Sequence, residues 1–278
     1  MKKNQKEMMA GALLGVLVGV LTVCMFGAEL LGFDTFENFE NVSSLPTRAF
    51  VINLDKRKDR FAAFVRNLRN SGFNITIQRS PAVVGKDLDL STIPLAEKAQ
   101  RELSHVMDSG YRTMHYQLTP GAIGCYLSHV KLWKYILDNN LDNVLIFEDD
   151  AKVPPNFEVK LKTALHNVNA VDPDWDIFIL DVLCRDCVPV TEDIIKVNKF
   201  YLLHAYVMRR KGVEKIFKSN ILFPIEQQVD WMLSQHTDKL KIYSLQEGIV
   251  KQSGSATDIQ APLKEIKEVN PFKEVDEI

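Results

Sequence analysis

From residue 49 to residue 208, short apolar runs of strand length alternate with longer segments whose apolar residues recur at helical spacing. That rhythm confines the chain to an α/β sheet with crossover helices. AFVINL (49–54) reads as a short buried strand, and Arg57 to Ser71 as a helix through Phe61, Phe64, Val65 and Leu68, stopped by Gly72. Pro120 to Asn140 is a second helix, with Cys125, Ser128, His129, Leu132, Trp133 and Ile136 at helical spacing. NVLIF (143–147) is another buried strand, Pro154 and Pro155 open a further helix, and Trp175–Leu180 and Leu202–Met208 read as strands. With 278 residues, 46% of them hydrophobic and 25% charged, the chain can bury a sizeable core in one large domain or two small ones.

Ligands of open α/β sheets gather at the carboxyl ends of the strands. Two polar clusters, Asp55 to Arg60 and Glu148 to Asp150, follow strands in that position. Three adjacent carboxylates at the end of an apolar strand repel one another, and a cation resolves the conflict. Mn²⁺ and Mg²⁺ take oxygen ligands and bridge carboxylates to phosphates. If the strand geometry continues, Glu148 and Asp150 point to one face and Asp149 to the other. The competing reading is a solvated turn, or acids that cap the helix after Pro154. A net charge of −2 gives no basic footprint, so nucleic acid is excluded as a partner.

Met8 to Ala28 contains neither a charge nor a proline and is long enough to cross a bilayer as a helix. Phe26 spoils a signal-peptidase pattern, which favours an uncleaved anchor over a signal peptide. Lys2, Lys3 and Lys6 precede the run, whereas Glu29, Asp34, Glu37 and Glu40 follow it, so the N-terminus is expected on the cytoplasmic side. The expected organisation is a cytoplasmic tail (1–7), a transmembrane signal anchor (8–31), a stem (32–47), a catalytic domain (48–262) and a mobile charged tail (263–278). Gly11, Gly15 and Gly19 form a smooth stripe that could dimerise, although small residues are common in membrane helices. Cys184 and Cys187 are spaced for a loop disulfide or two free thiols rather than for zinc. Asn41 and Asn74 lie in glycosylation sequons, with Asn74 expected to be occluded by a neighbouring strand.

Three blocks, AFVINLDKRKDR, LTPGAIGCYLSHVKLWKYI and NVLIFEDDAKVPPNF, resemble glycosyltransferase family 25 in order and spacing, and LLHAYVMRRKGVEKIF, PIEQQVDWML and IVKQSGSATDIQ resemble its C-terminal half. The resemblance spans residues 48–260. It implies a GT-A type nucleotide-sugar-binding fold, a Rossmann-like mixed sheet flanked by helices. It also implies a UDP-sugar donor, Mn²⁺ or Mg²⁺, inversion at the anomeric carbon, and transfer of a hexose, galactose favoured, to a glycan or hydroxyl-bearing protein. On that resemblance Asp150 and Glu148 hold the metal, with Glu148 also toward the ribose. Asn53, Asp55, Arg57, Arg60, His204 and Gln252 line the nucleotide-sugar site, and Asp230 is the base, against the alternative of a helix-surface acid. Ser128 and His129 match the family's SH pair, with His129 either a hydrogen-bonded core residue or a ligand. Ala122 departs from the glutamate of many members, which keeps open a catalytically degenerate, membrane-anchored adhesion or binding module. A metal-dependent phosphohydrolase is a third reading. The resemblance and the charge bias together imply a type II membrane protein facing the endoplasmic reticulum or Golgi lumen, or a viral protein in such a host.

Overall fold

The computed structural model describes residues 45–114, 116–254, 259–260 and 262–263. The expected anchor at 8–31, its glycine stripe, the tail 1–7, Asn41, most of the 32–47 stem and nearly all of the 263–278 tail lie outside these residues. Among the described residues no helix is long and apolar enough to cross a membrane.

The elements run β1 (Arg48–Asn53), α1 (Lys58–Asn70), β2 (Thr76–Pro81), α2 (Glu97–Ser109), α3 (Pro120–Asp138), β3 (Val144–Glu148), β4 (Ala151–Lys152), α4 (Phe157–Val171), β5 (Ile177–Ile179), β6 (Leu183–Pro189), β7 (Ile194–Tyr201), β8 (Ala205–Met208), α5 (Arg210–Lys218), α6 (Val229–Ser234), β9 (Ile242–Leu245) and β10 (Lys251–Gln252). Eight strands form one sheet in the order β2-β1-β3-β8-β5-β9-β7-β6. β1 pairs in parallel with β2 and β3, and β5 with β9, while β8 runs antiparallel to both β3 and β5. The sheet is therefore mixed, as the α/β reading requires.

Alternation along the strands builds a core on each face. Phe50, Ile52 and Ile146 pack with Trp133 and Ile136 of α3, Val213 and Ile216 of α5, and Leu233 of α6. Ala49, Val51, Leu145 and Phe147 turn the other way, onto Phe64 and Leu68 of α1 and Phe157 and Leu161 of α4. Each of the larger aliphatic and phenyl side chains contributes about 1.5–3 kcal/mol by leaving water, so the central strands are held from both sides.

α3 starts sharply because Thr119 Oγ1 accepts the Ala122 N–H at 3.0 Å and Pro120 occupies the first helical position. Its first turn lies against a 3₁₀ turn at Gly85–Asp87. A Cβ on Gly124 would stand 2.6 Å from the Val83 carbonyl oxygen and 2.7 Å from the Gly85 amide, and one on Gly85 would overlap the Pro120 carbonyl. Gly124→Ala is accordingly expected to destabilise the fold by about 1–3 kcal/mol through overpacking, measured by urea unfolding; a loss below measurement error would show that the turn can retreat.

Three expectations need correction. The disulfide Cys184–Cys187, with Cα atoms 6.1 Å apart, lies within β6 rather than in a loop, at a register irregularity that lets both cysteines meet. Asn74 is exposed, because it precedes β2 rather than packing beneath it. The helix after Pro154 and Pro155 begins only at Phe157, behind Asn156 in a left-handed conformation.

Candidate functional site

β1 and β3 are neighbours, so their carboxyl ends deliver Asn53 and Glu148 to one edge of the sheet. There a cleft of about 440 Å³ opens, lined by Asn53, Arg60, Glu148, Asp149, Asp150, His204, Asp230 and Gln252 among others. Seven of the predicted site positions thus meet in one place. Asp55 and Arg57 do not line it: Asp55 is exposed and pairs with Arg79, and Arg57 pairs with Asp59 at 3.3 Å. Both leave the sheet edge because the chain turns directly after Asn53.

The expected alternation across the triplet fails for a local reason. β3 ends at Glu148, and the chain turns at Asp149 and Asp150 before resuming in β4, which pairs with β10. Asp149 and Asp150 consequently face the same guanidinium: Arg60 Nη2 lies 2.6 Å from Asp149 and 3.2 Å from Asp150. Asn53 Nδ2 donates to Asp149 Oδ2 at 2.6 Å, and Arg79 Nε donates to Asn53 Oδ1 at 2.8 Å, orienting that amide. Gln252 Nε2 donates to Asp150 Oδ2 at 3.0 Å. The other oxygen, Asp150 Oδ1, is buried with no hydrogen-bond partner among the described residues.

Glu148 is held separately. Its N–H donates to the His204 carbonyl at 2.8 Å, and its Oε1 lies 3.3 Å from His129 Nε2 and 3.9 Å from Cys125 Sγ. His129 Nδ1 is 2.8 Å from Tyr206 Oη, which accepts Trp133 Nε1–H at 2.9 Å. His129 is therefore a hydrogen-bonded core residue, fully buried, that reaches the cleft through Glu148.

The electrostatics sort the carboxylates. Burial, with Glu148 repelling next, pushes Asp150 up to about 6. Burial also raises Asp149, against its Asn53 hydrogen bond and Arg60. Burial acts upward on Glu148 too, but the hydrogen bond from His129 and the Arg60 charge act against it, and Glu148 stays below its ordinary value. Asp149 and Asp150 share one guanidinium, and a buried, unpartnered carboxylate oxygen is what a hard divalent cation binds. The donor set fits such an ion, with Asp150 as its first ligand.

Asp230 lines the same cleft, near the start of α6. Its Oδ2 accepts the Leu202 N–H at 2.9 Å and its Oδ1 the Trp231 N–H at 2.8 Å. Leu202 adopts φ +80°, a left-handed conformation costly for a non-glycine residue, and this aims its N–H at the carboxylate. Burial raises Asp230 above the usual carboxylate range despite those two bonds. A helix-surface acid is excluded.

Sequence reasoning missed Tyr206, Arg79 and the stacked pair Tyr116 and Tyr201, whose rings are 4.1 Å apart and line the cleft. Tyr206 sits inside an apolar strand run, where nothing local distinguishes it from core; the only available hint was a buried phenol needing a partner.

A mixed α/β domain with a cleft at its strand ends has the architecture of a small-ligand-binding protein. The sequence profile of glycosyltransferase family 25 (LPS biosynthesis protein) matches residues 47–234. The chain belongs to that family. It is 28% identical to human procollagen galactosyltransferase 2 over 198 residues, which are 67% of this chain and 30% of that one. It is also 28% identical over 200 residues to human inactive glycosyltransferase 25 family member 3, covering 68% and 32% of the two chains. The chain thus spans about a third of the length of these relatives. Among solved structures, the apo-form glycosyltransferase GlyE of Streptococcus pneumoniae TIGR4 aligns with 72% of this chain and 45% of its own at 9% identity and a TM-score of 0.37.

Proposed function

We propose that this domain is a GT-A type inverting hexosyltransferase that moves a hexose, galactose favoured, from a UDP-sugar to a hydroxyl of a glycan or protein acceptor with the help of Mn²⁺ or Mg²⁺. The observation that carries this reading is the buried, unpartnered Asp150 Oδ1 in a cleft where Asp149 and Asp150 share one guanidinium. The relatives' printed names supply the preference for galactose.

A cation held through Asp150, with Glu148 beside it, would neutralise charge on the departing diphosphate. Arg60 lies where it offers the same diphosphate hydrogen bonds. Asn53 fixes Asp149, so that Arg60 stays at the floor of the cleft, and Gln252 does the same for Asp150. The acceptor oxygen attacks the anomeric carbon as the bond from that carbon to the diphosphate oxygen breaks. Its proton passes to Asp230, whose proton affinity burial raises above that of an ordinary carboxylate.

The degenerate binding module draws on Ala122 and on the existence of an inactive relative. Ala122 is the third residue of α3, behind the Thr119 cap. A glutamate there would complete a capping box by reaching back to the Thr119 N–H. Its absence removes that interaction and, since Ala122 lines the cleft, also a carboxylate from its wall; Asp150, Arg60 and Asp230 remain in place.

In the same reading the domain faces the endoplasmic reticulum or Golgi lumen, anchored through 8–31 and open to dimerisation along Gly11, Gly15 and Gly19, or belongs to a virus growing in such a host. The Cys184–Cys187 disulfide supports an oxidising compartment. The decisive assay uses the full chain in detergent: UDP release from UDP-galactose, UDP-glucose and UDP-N-acetylglucosamine, with Mn²⁺ or EDTA, with and without glycan and peptide acceptors. The expected result is acceptor-stimulated, EDTA-sensitive release with galactose preferred. Release that ignores EDTA would refute the cation's part, sugar phosphate released without acceptor would mark a phosphohydrolase, and donor binding without turnover would mark the degenerate module.

A further inference from the structure

The donor atoms of Cys125, His129 and Glu148 all lie within 4.8 Å of one another beneath the cleft. That spacing would suit a soft cation, yet the hydrogens around the cluster assign it differently. Trp133 Nε1 can only donate, so Tyr206 Oη accepts at 2.9 Å. Tyr206 Oη has one hydrogen of its own, and its remaining partner among the described residues is His129 Nδ1 at 2.8 Å. Both groups are fully buried, so bulk solvent does not reach that hydrogen. Nδ1 must then be a bare acceptor, and the proton of the neutral ring sits on Nε2, facing Glu148 Oε1 at 3.3 Å. A metal on Nε2, or a doubly protonated ring, would put a hydrogen on Nδ1 and strand the tyrosine hydrogen in the core without an acceptor.

We infer that His129 is a positioning residue, locked by the directed chain from Trp133 through Tyr206 so that its Nε2–H anchors Glu148 at the floor of the cleft. The inference rests on the transferase reading for its consequence, though not for its geometry. The Glu148 backbone is already pinned by its bond to the His204 carbonyl. With the side chain also held at one oxygen, Glu148 presents a fixed acceptor to a hydroxyl of the bound nucleotide sugar. In this role it shapes donor binding more than it ligates the cation, which leaves Asp150 as the principal ligand. Trp133 and Tyr206 thereby join the site although neither lines it.

The test begins with the wild-type chain labelled with ¹⁵N, in which long-range ¹H–¹⁵N correlation spectra distinguish the two imidazole tautomers. Assignment uses the signal lost in His129→Gln. The expected result is the Nε2–H form at His129, and the Nδ1–H form would overturn the inference. Tyr206→Phe keeps the ring and deletes the hydroxyl, so it should release the tautomer and raise KM for UDP-galactose about tenfold while kcat changes less. An unchanged KM in a folded variant would remove the positioning role. Zn²⁺ titration supplies the rival outcome: binding that is lost in Cys125→Ser would make the cluster a metal site, whereas binding indifferent to that change supports the chain. If no UDP-sugar is turned over, the transferase reading fails by itself, and the tautomer in the wild-type spectrum still decides the geometry.

Discussion

Asp150→Asn is expected to reduce transfer at least about a hundredfold and, in EDTA at pH 8, to make the protein more stable than the wild type. The two effects share one cause. In the folded chain Asp150 is pushed up to about 6, first by burial and then by Glu148, from an ordinary 3.8. A carboxyl raised in this way favours the fold below about pH 4, where it is protonated in both states, and that contribution is lost as pH rises through 6. Above pH 6 the native state holds an ionised carboxylate with an unpartnered oxygen, at a cost of about 1–3 kcal/mol. Asparagine is never charged, and its carbonyl oxygen still accepts from Gln252 Nε2. The variant should therefore melt several degrees higher at pH 8, by roughly 2–4 °C per kcal/mol for a domain of this size, and the gap should close toward pH 4. Mn²⁺ should raise the melting temperature of the wild type and leave the variant unmoved, because a ligand stabilises only the state that binds it. A wild type more stable than Asp150→Asn at pH 8 in EDTA, or an undiminished Mn²⁺ shift in the variant, would show that Asp150 is paired in solution and is not the cation's ligand.

What could be read from the sequence follows from what is local. β1, β3 and α3 were legible because their apolar residues are continuous or helically spaced, and those signals survive packing. The triplet was legible as a cluster, since its charge conflict is a property of adjacent residues. Its directions were not, because alternation holds only while the strand continues, and the chain turns after Glu148. The same limit explains Asp55 and Arg57. They follow a strand as predicted, but a tight turn with Arg57 N–H bonded to the Leu54 carbonyl at 2.9 Å carries them off the edge that Asn53 reaches. β6 escaped notice because it is the exposed edge strand, LCRDCVP, with no buried face to impose a period. α2 had its signal in Ala99, Leu103 and Val106, which are buried at helical spacing amid many charges. The chain from Trp133 to Glu148 lay beyond any reading of sequence. It joins residues on one helix to two antiparallel strands, and only the register of Ile146 against Tyr206 brings them together.

Asp230→Asn carries the other large effect, because it removes the carboxylate proposed to take the acceptor proton while keeping the shape of the wall. General-base loss costs about 10²–10⁴ in rate, so kcat should fall by that order while KM for the donor stays within a few-fold, since in the proposed reading the donor's phosphates meet Arg60 and the cation held by Asp150. In the wild type the acid limb of the kcat profile should stand above the ordinary carboxylate range, since burial raises Asp230 and protonation disables it as a base. In the variant that limb should vanish. The substitution also has a structural cost. Both oxygens of Asp230 accept backbone N–H groups, from Leu202 and Trp231, and an asparagine must turn its NH₂ toward one of them. Leaving that N–H unpaired costs about 1–3 kcal/mol and relaxes the left-handed Leu202 it helped to hold. Stability alone therefore cannot diagnose the role, and a second variant separates the two. Leu202→Gly adopts the same backbone without strain, so it should keep the N–H aimed at the carboxylate and retain kcat within a few-fold. If Leu202→Gly is as impaired as Asp230→Asn, the wall acts through its rigidity; if Asp230→Asn retains more than a tenth of wild-type kcat, the proton goes elsewhere. The pairing of lost kcat and lost acid limb in Asp230→Asn with retained turnover in Leu202→Gly assigns the base to this carboxylate.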